Sequence, residues 1–248
     1  MVSIFQLITE EFIDDLDAIR SLVSTFSDPG QAPKSRIAAA NSATLLVAAT
    51  FEEFVREMAR EQARAVVASA SSFSELPAKL ASTAWKRTMD SLSKVKFDGV
   101  AGASLENVFA TARARFSTTF DFCNGDLSKD IYRDLIHNEN NMRPGEINSL
   151  FKISGLNDVC AKVSDKTPLL DQFGETDWGK AHGKLLSGLN DFFERLNEIA
   201  HALNPGRSGS PDRISKDIDL LENFARALCE TLSANAPPPF PVEPVATP

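Results

Sequence analysis

The chain has 248 residues, 43% of them hydrophobic and 24% charged, the composition of a folded globular protein long enough to bury a sizeable core. Twelve glycines and a single tyrosine, amid many alanines and leucines, favour helix over sheet. A net charge of −8 disfavours indiscriminate nucleic-acid binding, which needs a broad basic footprint, so any contact with a nucleic acid has to use a local patch.

Residues 3–26 carry Phe5, Ile8, Phe12, Leu16, Ile19 and Val23 three to four apart, the pattern of one amphipathic helix. Its acids lie in the first half and Arg20 comes late, which suits the helix dipole. Asp28-Pro29-Gly30-Gln31-Ala32-Pro33 breaks the helix. A long alanine-rich helix is predicted from about Lys34 to Ala70. Its centre, Ala43 to Phe54, is almost wholly apolar, so it should run through the middle of a bundle. Arg56, Arg60 and Arg64 follow at four-residue spacing as a basic ridge.

Helical spacing returns at 74–96, through Leu76, Leu80, Trp85, Met89 and Leu92, and again at about 104–121. Asn124-Gly125-Asp126 is a polar break, Asn138 to Pro144 a loop, and Gly145 to Ile153 a short helix closed by Gly155. Lys166-Thr167-Pro168 reads as a turn. Residues 176–203 form the penultimate helix and 211–234 the last, with Ser210 as N-cap and Pro211 at the first helical position. Residues 236–248 hold six prolines and no core-forming run, the signature of a disordered tail. No internal repeat and no strand alternation is found. The expected architecture is all-α: one helical domain over 1–235 followed by the Pro-rich tail at 236–248.

Glu10, Glu11, Asp14 and Asp15 follow the Met-Val-Ser-Ile-Phe start directly, unlike the basic and then apolar order of a secretory leader. No run of about 20 uncharged apolar residues occurs, so no membrane contact is expected. Cys123, Cys160 and Cys229 are odd in number and far apart. They read as reduced core thiols of a cytoplasmic protein.

Three kinds of chemistry are set aside. Gly174-Glu175-Thr176-Asp177-Trp178-Gly179-Lys180-Ala181 imitates a phosphate-binding P-loop. Ala181 replaces the magnesium-binding hydroxyl, two acids would repel phosphate, and no strand precedes it. The stretch is read as a helix-entry loop. The three histidines, His137, His182 and His201, show no paired metal-ligand spacing, and His137 is read as a helix C-terminal cap. No nucleophile elbow for a serine hydrolase is present. No metal or other cofactor is expected.

The penultimate helix remains. Leu189, Phe192, Leu196, Ile199 and Leu203 form its apolar stripe. Beside it, Asn197 and His201 lie four apart and point the same way, with Glu194 near that stripe and Arg195 on the same helix. Such a trio is either a buried polar pair with a surface ion pair, or a site. His201 lies one turn before Asn204-Pro205-Gly206, so it stands near a helix end, and the following Gly206-Arg207-Ser208-Gly209-Ser210 loop is basic.

These residues resemble the HEPN superfamily, all-helical proteins with an R-x4-6-H motif in the penultimate helix. Arg195, five residues, and His201 fit that range, and Asn197 to His201 is similar to the common Asn-x-Ile-Ala-His form. Ser42 to Val55, Asn141 to Phe151 with Gly155-Leu156, and Asp212 to Leu232 resemble the RiboL-PSP-HEPN branch, also called MAE-type, so the likeness spans roughly 40–233. One departure is visible: Leu196 stands where the family places arginine directly before asparagine. That shift leaves Arg195 about 120° around the helix from His201 instead of about 140°.

The resemblance implies a metal-independent endoribonuclease acting as a homodimer, with motif helices facing each other across a cleft. His201 would take the proton of the RNA 2′-hydroxyl as it attacks phosphorus, a task suited to a side chain whose unperturbed pKa is about 6.5. Arg195 would stabilise charge on the five-coordinate phosphorus, Asn197 would orient the imidazole or hold a phosphate oxygen, and a second His201 would protonate the leaving 5′-oxygen. The products would carry 2′,3′-cyclic phosphate and 5′-hydroxyl ends. The resemblance further implies a toxin or phage-defence role with an antitoxin partner. The alternative is a non-catalytic HEPN module that binds RNA or protein and packs a dimer through the motif; a plain helical adaptor is a third reading.

Overall fold

The structure, a computed structural model, describes residues 3–96, 105–137, 140–201 and 210–238. Of these described residues 79% are helical and none lies in a strand, which is the all-α class that the periodicity predicts. Ten α-helices are present among them: α1 (Ile4–Phe26), α2 (Pro33–Ser69), α3 (Ala78–Ser93), α4 (Leu105–Cys123), α5 (Tyr132–Leu135), α6 (Pro144–Ile153), α7 (Val159–Val163), α8 (Thr167–Phe173), α9 (Trp178–His201) and α10 (Pro211–Asn235). None is long and apolar enough to cross a membrane. The Gly206–Gly209 loop, the Asn204-Pro205 pair, Leu203 and the tail from residue 239 onward lie outside the described residues.

Local chemistry sets the helix ends. Ser3 and Gln6 cap α1 reciprocally, side chain to backbone in both directions. After α1 the Asp28 carboxylate accepts the Gly30 N–H at 2.8 Å, forming the turn that the Asp-Pro-Gly sequence signals. Ser210 Oγ accepts the Arg213 N–H at 3.2 Å and starts α10. Gly155 closes the stretch after α6 at φ 90°, a conformation that glycine adopts without steric cost.

The turn expected at Lys166-Thr167-Pro168 is corrected: Lys166 is the N-cap of α8, and Pro168 sits in the first helical turn. There its missing N–H has no helical acceptor to serve, so proline starts a helix as readily as it ends one. The short α7 is likewise unannounced by periodicity. Its N-terminus is held from another helix, by Asn148 Oδ1 accepting the Cys160 N–H at 2.9 Å. The expectation of three core thiols holds only for Cys160, which is buried; Cys123 and Cys229 are half-buried. Burial pushes the Cys160 thiol up to about 12.

Backbone contacts divide the chain into two units. The first comprises Met1–Met58, Glu139–Leu150 and Asn157–Asn235. Its core is a set of rings around Phe51, which has no exposed surface. Phe51 lies 6.2 Å from Phe12 of α1, 6.2 Å from Phe193 of α9 and 5.5 Å from Phe224 of α10, while Phe54 stacks on Phe12 at 4.4 Å. The predicted central burial of α2 holds for one face only: Leu45 and Leu46, in the same apolar stretch, are exposed. At the rim, Arg20 of α1 reaches Asp17, Asp219 at 2.8 Å and Glu222 at 3.3 Å.

The second unit comprises Ala59–Asn138, Phe151–Leu156 and Ala236–Pro248. Here α3 and α4 are joined by a buried hydroxyl pair, Thr88 and Thr119, at 2.8 Å. Arg115 of α4 holds Asp134 and Ser91, and the Arg64 guanidinium lies 4.6 Å above the Tyr132 ring. Along α2 the basic ridge is met by acids, Arg56 with Glu53 at 2.9 Å and Arg64 with Glu61, so it is no bare cationic surface.

Phe51→Ala should lower the unfolding free energy by about 3–5 kcal/mol, because the neighbouring rings cannot collapse into the void. Urea titration followed by circular dichroism measures this, and a loss under about 1 kcal/mol would contradict the central placement of this ring.

Candidate functional site

Helix α9 is anchored by one face. Ala181, Leu185, Leu189, Phe192, Phe193 and Leu196 are buried, while Ile199 is half-buried. The face comes very close to α10: a Cβ added at Gly188 would sit 2.7 Å from a Leu220 methyl. The helix begins with Asp177 accepting the Gly179 N–H at 2.8 Å. The neighbouring Gly174 ends α8 at φ 61°, and Lys184 is occupied by Glu175 at 2.7 Å and the Phe173 carbonyl at 3.0 Å. The P-loop look-alike is thus used for a helix end and a helix start.

Arg195, Asn197 and His201 leave this anchored helix in three directions. Arg195 points to α10, where its Nη2 donates to both carboxylate oxygens of Asp217 at 2.6 and 2.7 Å. Arg213, one turn earlier on α10, approaches the same carboxylate through Nε at 3.4 Å. Asp217 has only 7% of its side chain exposed, against 26% for Arg195 and 43% for Arg213. Burial pushes the Asp217 carboxyl above the ordinary aspartate range; Arg195 and Arg213 pull it back, and Asp191 adds to the rise.

Asn197 points to the segment before α6. Its Oδ1 accepts from Asn141 Nδ2 at 2.8 Å, which leaves its own Nδ2 protons as donors. The next residue of that segment, Met142, is fixed from the other side, because its backbone N–H donates to the Glu52 carboxylate of α2. Burial raises Glu52 above its usual range, opposed by Arg56 and by that hydrogen bond. Asn141 and Met142 are therefore clamped between α9 and α2.

His201 is the last described residue of α9 and is exposed. Asn197 lies one turn before it, about 40° away around the axis. Arg195 is about 9 Å back along the axis and about 120° around it, engaged with α10. The structure thus keeps Asn197 and His201 on one side and takes Arg195 to another. Glu194, on the stripe that sequence spacing shares with His201, is exposed. Among the described residues no group of three or more His, Cys, Asp or Glu side chains is placed to hold a metal ion.

Sequence reasoning missed the partners Asp217, Arg213 and Asn141. Asp217 had a legible signal, since it falls three after Ile214 and four before Leu221 on the buried stripe of α10, and a carboxylate there needs a cation. Asn141 had none, because its partner is 56 residues away.

The family model RiboL-PSP-HEPN matches residues 10–234. No curated protein and no solved structure matches the chain.

The Asp217 geometry has a pH consequence. Its folded carboxyl keeps a proton to higher pH than the unfolded one, so its contribution to stability is greatest below the unfolded value and declines as pH rises through the folded value. Asp217→Asn should remove that decline and flatten the melting temperature between mildly acidic and neutral pH. Parallel profiles for the two proteins would contradict it. For the amide pair, a double-mutant cycle of Asn141→Ala and Asn197→Ala should return a coupling of about 0.5–1.5 kcal/mol in unfolding free energy.

Proposed function

The chain belongs to the RiboL-PSP-HEPN family, a HEPN-superfamily family that suggests a nuclease or RNA-binding module, and from that premise we propose that it is a metal-independent endoribonuclease. The observation that carries this reading is the solvent exposure of His201 at the end of α9, one turn beyond an asparagine whose amide is held in place by Asn141. An exposed imidazole can exchange protons with a bound ribose, and a fixed amide donor beside it can orient the ring or a phosphate oxygen.

His201 takes the proton from the 2′-hydroxyl, the freed oxygen attacks the adjacent phosphorus, and the bond to the 5′-oxygen breaks. The leaving oxygen receives its proton from the His201 of a second copy in a homodimer. The products carry 2′,3′-cyclic phosphate and 5′-hydroxyl ends. In this reading the protein acts in the cytoplasm as a growth-arresting toxin or phage-defence effector, restrained by an antitoxin.

One observation favours a second reading. The charge of Arg195 is committed to Asp217, which fits a module whose motif arginine locks α9 to α10 while the protein binds RNA without cutting it.

Incubating wild-type and His201→Ala protein with total RNA in EDTA separates the readings. The nuclease predicts cleavage by wild type, loss of at least about a hundredfold in the variant, and cyclic phosphate ends. Retention of RNA with no cleavage by either protein would select the non-catalytic module.

A further inference from the structure

The positive charge that a scissile phosphate requires has to come from somewhere, and Arg195 is poorly placed to give it. Its Nη2 is held by both oxygens of a buried carboxylate, and its side chain is 26% exposed. Arg213 shares that carboxylate on different terms. Only its Nε approaches Asp217, at 3.4 Å, and its side chain is 43% exposed. Among the described residues its two terminal nitrogens meet no acceptor.

Position favours Arg213 as well. Gly188 of α9 meets Leu220 and Arg195 meets Asp217, so later residues of α9 face earlier residues of α10. The two helices run antiparallel. Arg213 lies four residues nearer the start of α10 than Asp217, on the side toward which α9 ends at His201. By helix rise, Arg213 stands about 6 Å from Asp217 along α10 and His201 about 9 Å from Arg195 along α9, in the same direction. Asp191, the further acid acting on the cluster, lies one turn before Arg195, away from His201. Of the two guanidiniums on Asp217, Arg213 is the better exposed and lies toward the end of α9 that carries His201.

The geometry points to Arg213 as the side chain that binds an RNA phosphate at the His201 site, with Asp217 positioning its Nε and Arg195 acting as the brace that fixes Asp217. A guanidinium held at Nε presents Nη1 and Nη2 as a fork, which suits two phosphate oxygens. The assignment rests on the RNA-directed reading above and adds the substrate-binding cation to it.

The test uses the full chain and a fluorescein-labelled single-stranded oligoribonucleotide. Binding is measured on the His201→Ala background, so that cleavage does not intrude, across a range of salt. Arg213→Gln should weaken binding by about tenfold at moderate salt and lower the slope of log affinity against log salt by about 0.7–1, the signature of one lost phosphate contact. Arg213→Lys should keep most of the slope, because the charge remains. In the protein with His201 intact, Arg213→Gln should cut cleavage by about a hundredfold or more. Arg195→Gln should lower the melting temperature, because Asp217 loses its brace. An unaltered slope in a folded Arg213→Gln protein overturns the assignment and leaves the nuclease reading standing. Absence of RNA binding by the parent protein overturns both. A reduced slope without any cleavage by wild type sinks the nuclease alone and retains the phosphate contact.

Discussion

Everything at the candidate site depends on the burial of one face of α9. Phe192, Phe193 and Leu196 lie in the first unit's core, with Phe193 against Phe51, and Gly188 lets α10 approach closely. A helix locked in this way cannot rotate. Each polar residue on it is assigned an angle, and the angle decides what it meets: Arg195 the α10 carboxylate, Asn197 the segment before α6, His201 solvent. The displacement of arginine by Leu196 is consistent with this. Leu196 contributes to the core, and the arginine one step earlier is directed to Asp217.

The charge distribution follows the same logic. With 34 acids against 26 basic residues, most described arginines find carboxylates: Arg20 with Asp219 and Glu222, Arg56 with Glu53, Arg115 with Asp134, Arg226 with Glu222. Exposed pairs of this kind contribute little stability each, about 0–1 kcal/mol. Their larger effect is on recognition, because they remove the basic ridges that a linear reading of the sequence suggests. An acidic protein that engages RNA has to do so through an exposed cation, and Arg213 beside Asp217 is the one proposed for that contact.

Much of the helical plan was legible because amphipathic periodicity records which side of a helix is buried. The spans of α1, α2, α9 and α10 follow from it, and so do the turn at Asp28-Pro29-Gly30 and the cap at Ser210. Legibility failed where elements are short. Helices α7 and α8 have too few residues for a period to show, and the start of α7 is held by Asn148 of the preceding helix.

The sequence by itself determined that the chain is all-helical, and that Asn197 and His201 share one stripe of its penultimate helix. Both follow from spacing along a single segment. Only the tertiary structure decided that Arg195 is bound to a buried aspartate, that Asn197 is held by Asn141, and that Arg213 shares the aspartate with Arg195. Those are meetings of segments far apart in the chain, and no periodicity within one helix encodes the partner on another.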